Sequence, residues 1–192
     1  MKSDTFERLY SKCQDQSFLN SKNIGKEIPF YIIPYEPKEK KKVAQNVGMT
    51  VKRLSEININ ILRIDLFSLC IDLLKEQDIF EDVLELEQEE SPEYFLDAFD
   101  SALNNDMISD EIQKKIQYAN PDVVFIHGIG KIYPFKRIHP LINNMHSKTE
   151  NKPIVFFYPG VYDGNTFKLF GLDDGNGGDL FKSNYYRAYN LE

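Results

Sequence analysis

Three short stretches of this chain are apolar with almost no interruption: IPFYII at 28–33, VVFIH at 123–127 and PIVFFY at 153–158. A strand covered on one face alternates apolar and polar residues, whereas a strand covered on both faces does not. Runs of this kind, separated by segments of helical period, point to a parallel sheet with helices on either side. The intervening segments have that period. Phe6, Leu9, Tyr10 and Cys13 recur at helical spacing, and Val43, Val47, Val51 and Leu54 do so after Pro37, a residue suited to a first helical turn.

A fourth strand is predicted over Ile59–Leu66, followed by a helix from about Ser68 to Phe80. Ser91 and Pro92 open a helix that buries Phe95, Leu96, Phe99 and Leu103. Another begins near Ser109, and a last one spans Pro134–Met145. Thr166–Phe170 reads as an added strand returning through Asp163-Gly164-Asn165. The expected fold is one α/β domain over residues 1–192, a three-layer sandwich with a mostly parallel sheet. Its general shape is P-loop or RecA-like, with a helical acidic insertion at about 76–118 between the second and third strands.

Charge is unevenly spread. The formal net charge is −7, yet Glu76–Glu111 holds fourteen acids and no basic residue, and the remainder carries sixteen acids against twenty-three bases. An acidic middle of this kind is a solvated helical face or a docking surface for a basic partner. It also makes direct nucleic-acid binding the weakest option, since phosphate is repelled there. Cys70 sits in an apolar run and Cys13 stands alone, so neither a disulfide framework nor a zinc site is suggested and a reducing cytoplasm fits. No apolar run reaches the roughly 20 residues of a membrane helix, and no signal-peptide pattern opens the chain.

Ligands of doubly wound sheets bind beyond the carboxyl ends of the strands, so the corners there decide the chemistry. After the first strand stands PYEP (34–37), which has no glycine, two prolines without N–H donors, and Glu36. It does not hold phosphate in the P-loop manner. Lys38, Lys40, Lys41 and Lys42 follow, as a solvated helix start or as a basic patch for an acidic partner or a phosphate. The second corner reads HGIGKIYPFKR (127–137). A P-loop needs glycine at the position of Phe125 and Ser or Thr at Ile132, and a dinucleotide fingerprint needs glycine at Tyr133. No serine has G-x-S-x-G flanks. His139 and His146 are seven residues apart, about two helical turns, too far to share one metal ion. No metal or cofactor is expected. His127 at a strand end is a candidate acid or base, or a hydrogen-bonded structural residue.

The segments GIGKIYPF (128–135) and VFFYPGVYDGNTFKLFG (155–171), with NYYRAYNL (184–191), carry a combined pattern far more specific than a glycine-rich loop. The sequence resembles the BrxB family of bacterial phage-exclusion (BREX) systems. Gly128, Gly130, Tyr133, Pro134, Tyr158, Pro159, Gly160, Tyr162, Asp163 and Gly164 fall on the pattern, as do Leu169, Phe170, Gly171, Tyr185, Tyr186, Arg187 and Ala188. The loop at 171–179 departs from it in length.

The resemblance implies an accessory component acting with PglZ, the BrxC ATPase and the PglX methyltransferase in host-DNA methylation and phage exclusion. It implies no catalytic residues and no cofactor. The expectation is a non-enzymatic, cytoplasmic adaptor, with PglZ as first partner and BrxC and PglX as others. Its expected recognition residues are Gly128, Gly130, Lys131, Tyr133, Arg137, Tyr158, Gly160, Asp163, Tyr186 and Arg187. The rival expectation is a nucleotide sensor or hydrolytic enzyme using His127, Lys131, Asp163 and Arg187 at the strand ends.

Overall fold

The computed structural model describes residues 3–20, 30–148, 152–162, 166–171, 179–180 and 188–190. Its strands are β1 (Phe30–Tyr35), β2 (Ile61–Asp65), β3 (Val123–His127), β4 (Ile154–Tyr162), β5 (Thr166–Leu169), β6 (Asp179–Leu180) and β7 (Ala188–Asn190). The order is β2-β3-β4-β1-β7, and every neighbouring pair in that row is parallel. β5 and β6 extend antiparallel from the far end of β4. The three continuous apolar runs are β3, β4 and β1, three adjacent strands inside the row. β2 stands at the edge and is only partly covered.

Side chains alternate across a strand, so each central strand feeds two cores. Tyr31, Ile33, Val123, Phe125, Val155 and Phe157 face one side. There they meet Phe6 and Leu9 of α1 (Ser3–Cys13), Phe18 of α2 (Gln16–Asn20) and Val43, Val47 and Leu54 of α3 (Lys40–Ser55). Phe30, Ile32, Val124, Ile126, Ile154, Phe156 and Tyr158 face the other. That layer is built by α4 (Leu66–Glu76), α5 (Phe80–Glu89), α6 (Pro92–Ala102), α7 (Asn105–Ala119), α8 (Ile129–Ile132) and α9 (Ile138–Lys148). The layered α/β architecture expected from the sequence is thus present. Among the described residues, no helix is long and apolar enough to cross a membrane.

Several boundaries differ from the sequence reading, each for a local reason. β2 ends at Asp65 rather than running on to Leu66, because the Asp65 carboxylate accepts from the N–H groups of Phe67 (3.1 Å) and Ser68 (3.2 Å) and starts α4 there. α7 starts at Asn105, four residues before Ser109, because Asn104 caps it through the N–H of Met107 (2.9 Å). Ser109 is instead buried and donates to Asn144 of α9 (2.6 Å). Ser91 does cap α6, accepting from the N–H of Tyr94 (3.3 Å). Pro134 does not open a helix. It follows a cis peptide bond in the turn after α8, and α9 begins at Ile138.

That turn is fastened by Lys136, which is only 3% exposed. Its ammonium donates to the carboxylate and to the backbone carbonyl of Asp100 on α6, the latter at 3.1 Å. Beside it Phe135 packs against Phe95 and Phe99, with ring centres 5.7 and 5.1 Å away. Removing the carboxylate strands a buried charge, while removing the charge does not. Asp100→Ala is therefore expected to lower stability by about 2 kcal/mol, below the fully buried range because Asp100 faces solvent. Lys136→Met is expected to be near neutral. Urea unfolding of the two variants checks the difference, and equal losses would contradict it.

Candidate functional site

The carboxyl ends of β1, β2, β3 and β4 converge on one side of the sheet, the side that carries α3. Strand alternation places Tyr35, Arg63, Asp65, His127, Phe157 and Pro159 on that face. Together with the first turns of α3 and with residues 128–131 they enclose a pocket of about 450 Å³. It lies beyond the carboxyl ends of β1, β2, β3 and β4, where ligands of parallel α/β sheets bind.

Asp65 organises the polar side of the pocket. Both of its oxygens are engaged: Oδ1 caps α4, and Oδ2 accepts from the ammonium of Lys131 at 2.8 Å. Asp65 pairs in register with His127 across β2 and β3, bringing Nδ1 of the imidazole to 3.4 Å from Oδ2. On the other side of the ring, Nε2 accepts from Nε of Arg63 at 2.7 Å. This fixes the tautomer, with the ring proton on Nδ1 facing the carboxylate. Burial alone would raise the Asp65 carboxyl, but the bonds from His127, Lys131 and the Ser68 N–H outweigh it and hold it well below the usual carboxylate range. The nearby phenol of Tyr35 is pushed up by burial and by the Asp65 charge.

The sign of the linkage follows. A carboxyl whose folded pKa is depressed stabilises the fold above its unfolded value of ~3.9, and that contribution is lost as pH falls below it. Stability of the native chain is therefore expected to fall more steeply from about pH 4 to pH 2 than that of Asp65→Asn, which keeps a capping oxygen but cannot titrate. Urea midpoints across this range give the comparison, and parallel slopes would contradict it.

Gly128 makes the corner possible. Its φ is +82°, and a Cβ there would lie 2.4 Å from Oδ1 of Asp65 and 3.2 Å from the Leu66 nitrogen. Gly130 lies against Pro159 and Phe170, and Tyr133 meets the Phe170 ring edge-on at 5.8 Å. The two motif segments, distant in sequence, are thus packed on each other.

A family profile described as "BREX protein BrxB" matches residues 62–191. The chain belongs to the BrxB family. It is similar to a BREX protein BrxB of Bacillus cereus (strain H3081.97), 33% identical over 193 residues covering 98% of this chain and 96% of that protein. It is also similar to a BREX protein BrxB of Escherichia coli O9:H4 (strain HS), 29% identical over 184 residues, 96% of this chain and 88% of the relative. No solved structure gives a significant match. In this BrxB-family chain the profile covers Arg63, Asp65, His127, Gly128 and Lys131 of the pocket lining, but not Lys40 and Lys41.

The sequence-derived recognition residues are not all in one place. Gly128, Gly130 and Lys131 line the pocket, with Tyr133 beside it on Phe170. Arg137 is exposed in the turn before α9 and does not line the pocket. Tyr158 is 1% exposed and belongs to the opposite core, so its side chain presents no surface. Gly160 is buried where β5 crosses β4, and a Cβ there would come within 2.1 Å of the Lys168 carbonyl oxygen. Asp163, Tyr186 and Arg187 lie outside the described residues. Of the rival set, His127 and Lys131 do meet, through Asp65.

Arg63 and Asp65 escaped the sequence reading. A signal was present, since two charged residues two apart in an otherwise apolar strand must share a face. Both thiols are buried and pushed up to about 12, by burial alone for Cys13 and mainly by burial for Cys70. Among the described residues no group of three or more His, Cys, Asp or Glu could hold a metal ion.

Proposed function

We propose that this chain is a component of a BREX phage-defence system and works in it as a non-catalytic adaptor. It binds other BREX proteins, PglZ first and BrxC or PglX after it, and so supports host-DNA methylation and phage exclusion. The observation that carries this reading is the likeness, over nearly the whole chain, to two proteins named as BREX protein BrxB.

Two features of the molecule favour binding over chemistry. The imidazole of His127 is held at both nitrogens, by Nε of Arg63 on one side and by Asp65 on the other. Among the described residues, the pocket lining includes no Ser, Thr or Cys to act as a nucleophile beside it. A docking surface is available elsewhere. Thirteen of the fourteen acids between Glu76 and Glu111 are exposed, and Tyr94 (56% exposed) stands among them on α6. Acidic residues around an aromatic anchor suit a basic partner surface. The P-loop-like reading of the fold belongs here as well, with PYEP at the β1 corner in place of a phosphate loop.

Size-exclusion chromatography of the purified chain with PglZ, BrxC and PglX, each in turn, tests the proposal. Co-elution with PglZ is expected. Failure to co-elute with any of the three would overturn it.

A further inference from the structure

The pocket gathers more positive charge than its own residues neutralise. Lys40 and Lys41 from α3, Arg63 from β2 and Lys131 after β3 all line it, and Asp65 is the one carboxylate among the lining residues. Lys131 is paired with Asp65. Lys40 and Lys41 have no ion-pair partner among the described residues. The guanidinium of Arg63 is fixed at Nε by His127, while its two terminal amino groups have no hydrogen-bond partner among the described residues. Cations converge on a pocket in this way at a cost, which an anion removes.

The opposite wall is of another kind. Ala44 of α3 and Phe170 after β5 give an apolar surface with one aromatic ring, backed by the buried Val47 and Phe157. A cavity of about 450 Å³ with an apolar wall and a few convergent charged groups is of small-ligand size. Free phosphate would use the cationic rim and leave the apolar wall wet. A ligand with a flat apolar part and a phosphate uses both.

We propose that this pocket binds a nucleoside phosphate, with the phosphate held by Lys40, Lys41 and the open face of Arg63 and the base laid against Ala44 and Phe170. The site differs from a P-loop, because side chains of α3 and β2 take the place of backbone N–H groups. It also stands apart from the adaptor reading: a chain that bound no PglZ would still bind the nucleotide.

Calorimetric titration of the full chain with ADP, AMP and pyrophosphate tests the site. Three proteins are compared: the native chain, the double variant Lys40→Gln/Lys41→Gln, and Ala44→Glu, whose positions are exposed so that folding is preserved. ADP is expected to bind saturably and more tightly than pyrophosphate. The double variant is expected to weaken ADP roughly tenfold or more, as loss of charge-assisted contacts to phosphate requires. Ala44→Glu is expected to weaken it too. No saturable ADP binding at millimolar concentration, or unchanged affinity in both variants, would overturn the site. Pyrophosphate binding as tightly as ADP would overturn the nucleoside assignment.

Discussion

Phe157→Ala is expected to lower the unfolding free energy by about 3–5 kcal/mol, the usual cost of removing a fully buried phenyl ring. Phe157 is the hinge between fold and site. Its ring lies 5.5 Å from Phe125 in an edge-on contact and 6.1 Å from Phe6 in a stacked one, joining β4, β3 and α1. It also borders the pocket. Such a loss is a fifth or more of the ~5–15 kcal/mol that holds a domain of this size together. Equilibrium urea unfolding measures it. A loss below about 1 kcal/mol would mean that this layer collapses readily around the cavity, against the close packing described.

The second large effect is expected at Gly128. An alanine there must take a left-handed backbone, at about 1–2 kcal/mol, and must also displace the Asp65 carboxylate that its Cβ would overlap, at a further ~1–3 kcal/mol. Gly128→Ala is therefore expected to cost about 2–5 kcal/mol. The control is Gly171, whose φ is +72° but whose Cβ would meet nothing within 4 Å among the described residues. Gly171→Ala carries only the backbone cost, about 1 kcal/mol. Thermal or urea unfolding of the pair separates the two causes. Equal losses would mean that the approach to Asp65 is not what demands glycine at 128.

The sheet was legible because its signal is local. Continuous apolar runs can only be strands covered on both faces or buried helices, and their length decides between the two. The three runs occupy adjacent positions in the row for the same reason. Boundaries set by a single side chain were harder. Asp65 reads as the end of a strand but acts as a helix cap, and Lys136 turns inward to Asp100 instead of facing water from a helix. The site was least legible of all. Asp65 and His127 are 62 residues apart, and only the β2–β3 register makes them neighbours. Gly128 was readable as a turn residue, while the carboxylate that requires it was not.

The same comparison explains why the failed P-loop test did not settle the pocket. That test concerns one loop, 125–132, whereas three of the four cations lining the pocket come from α3 and β2. A basic run at a helix start looks like solvated surface until the sheet order places it over a crevice.

The most direct measurement of the central claim, that this chain works by binding and not by chemistry, is host-DNA methylation in a BREX-bearing strain whose copy of the chain carries His127→Gln. Glutamine can still donate to Asp65 and accept from Arg63, but it cannot exchange a proton as an acid or base. The expected result is methylation at the native level, with complex formation with PglZ unchanged. Loss of methylation in a variant that remains folded and still forms the complex would contradict the claim and mark His127 as a working acid or base.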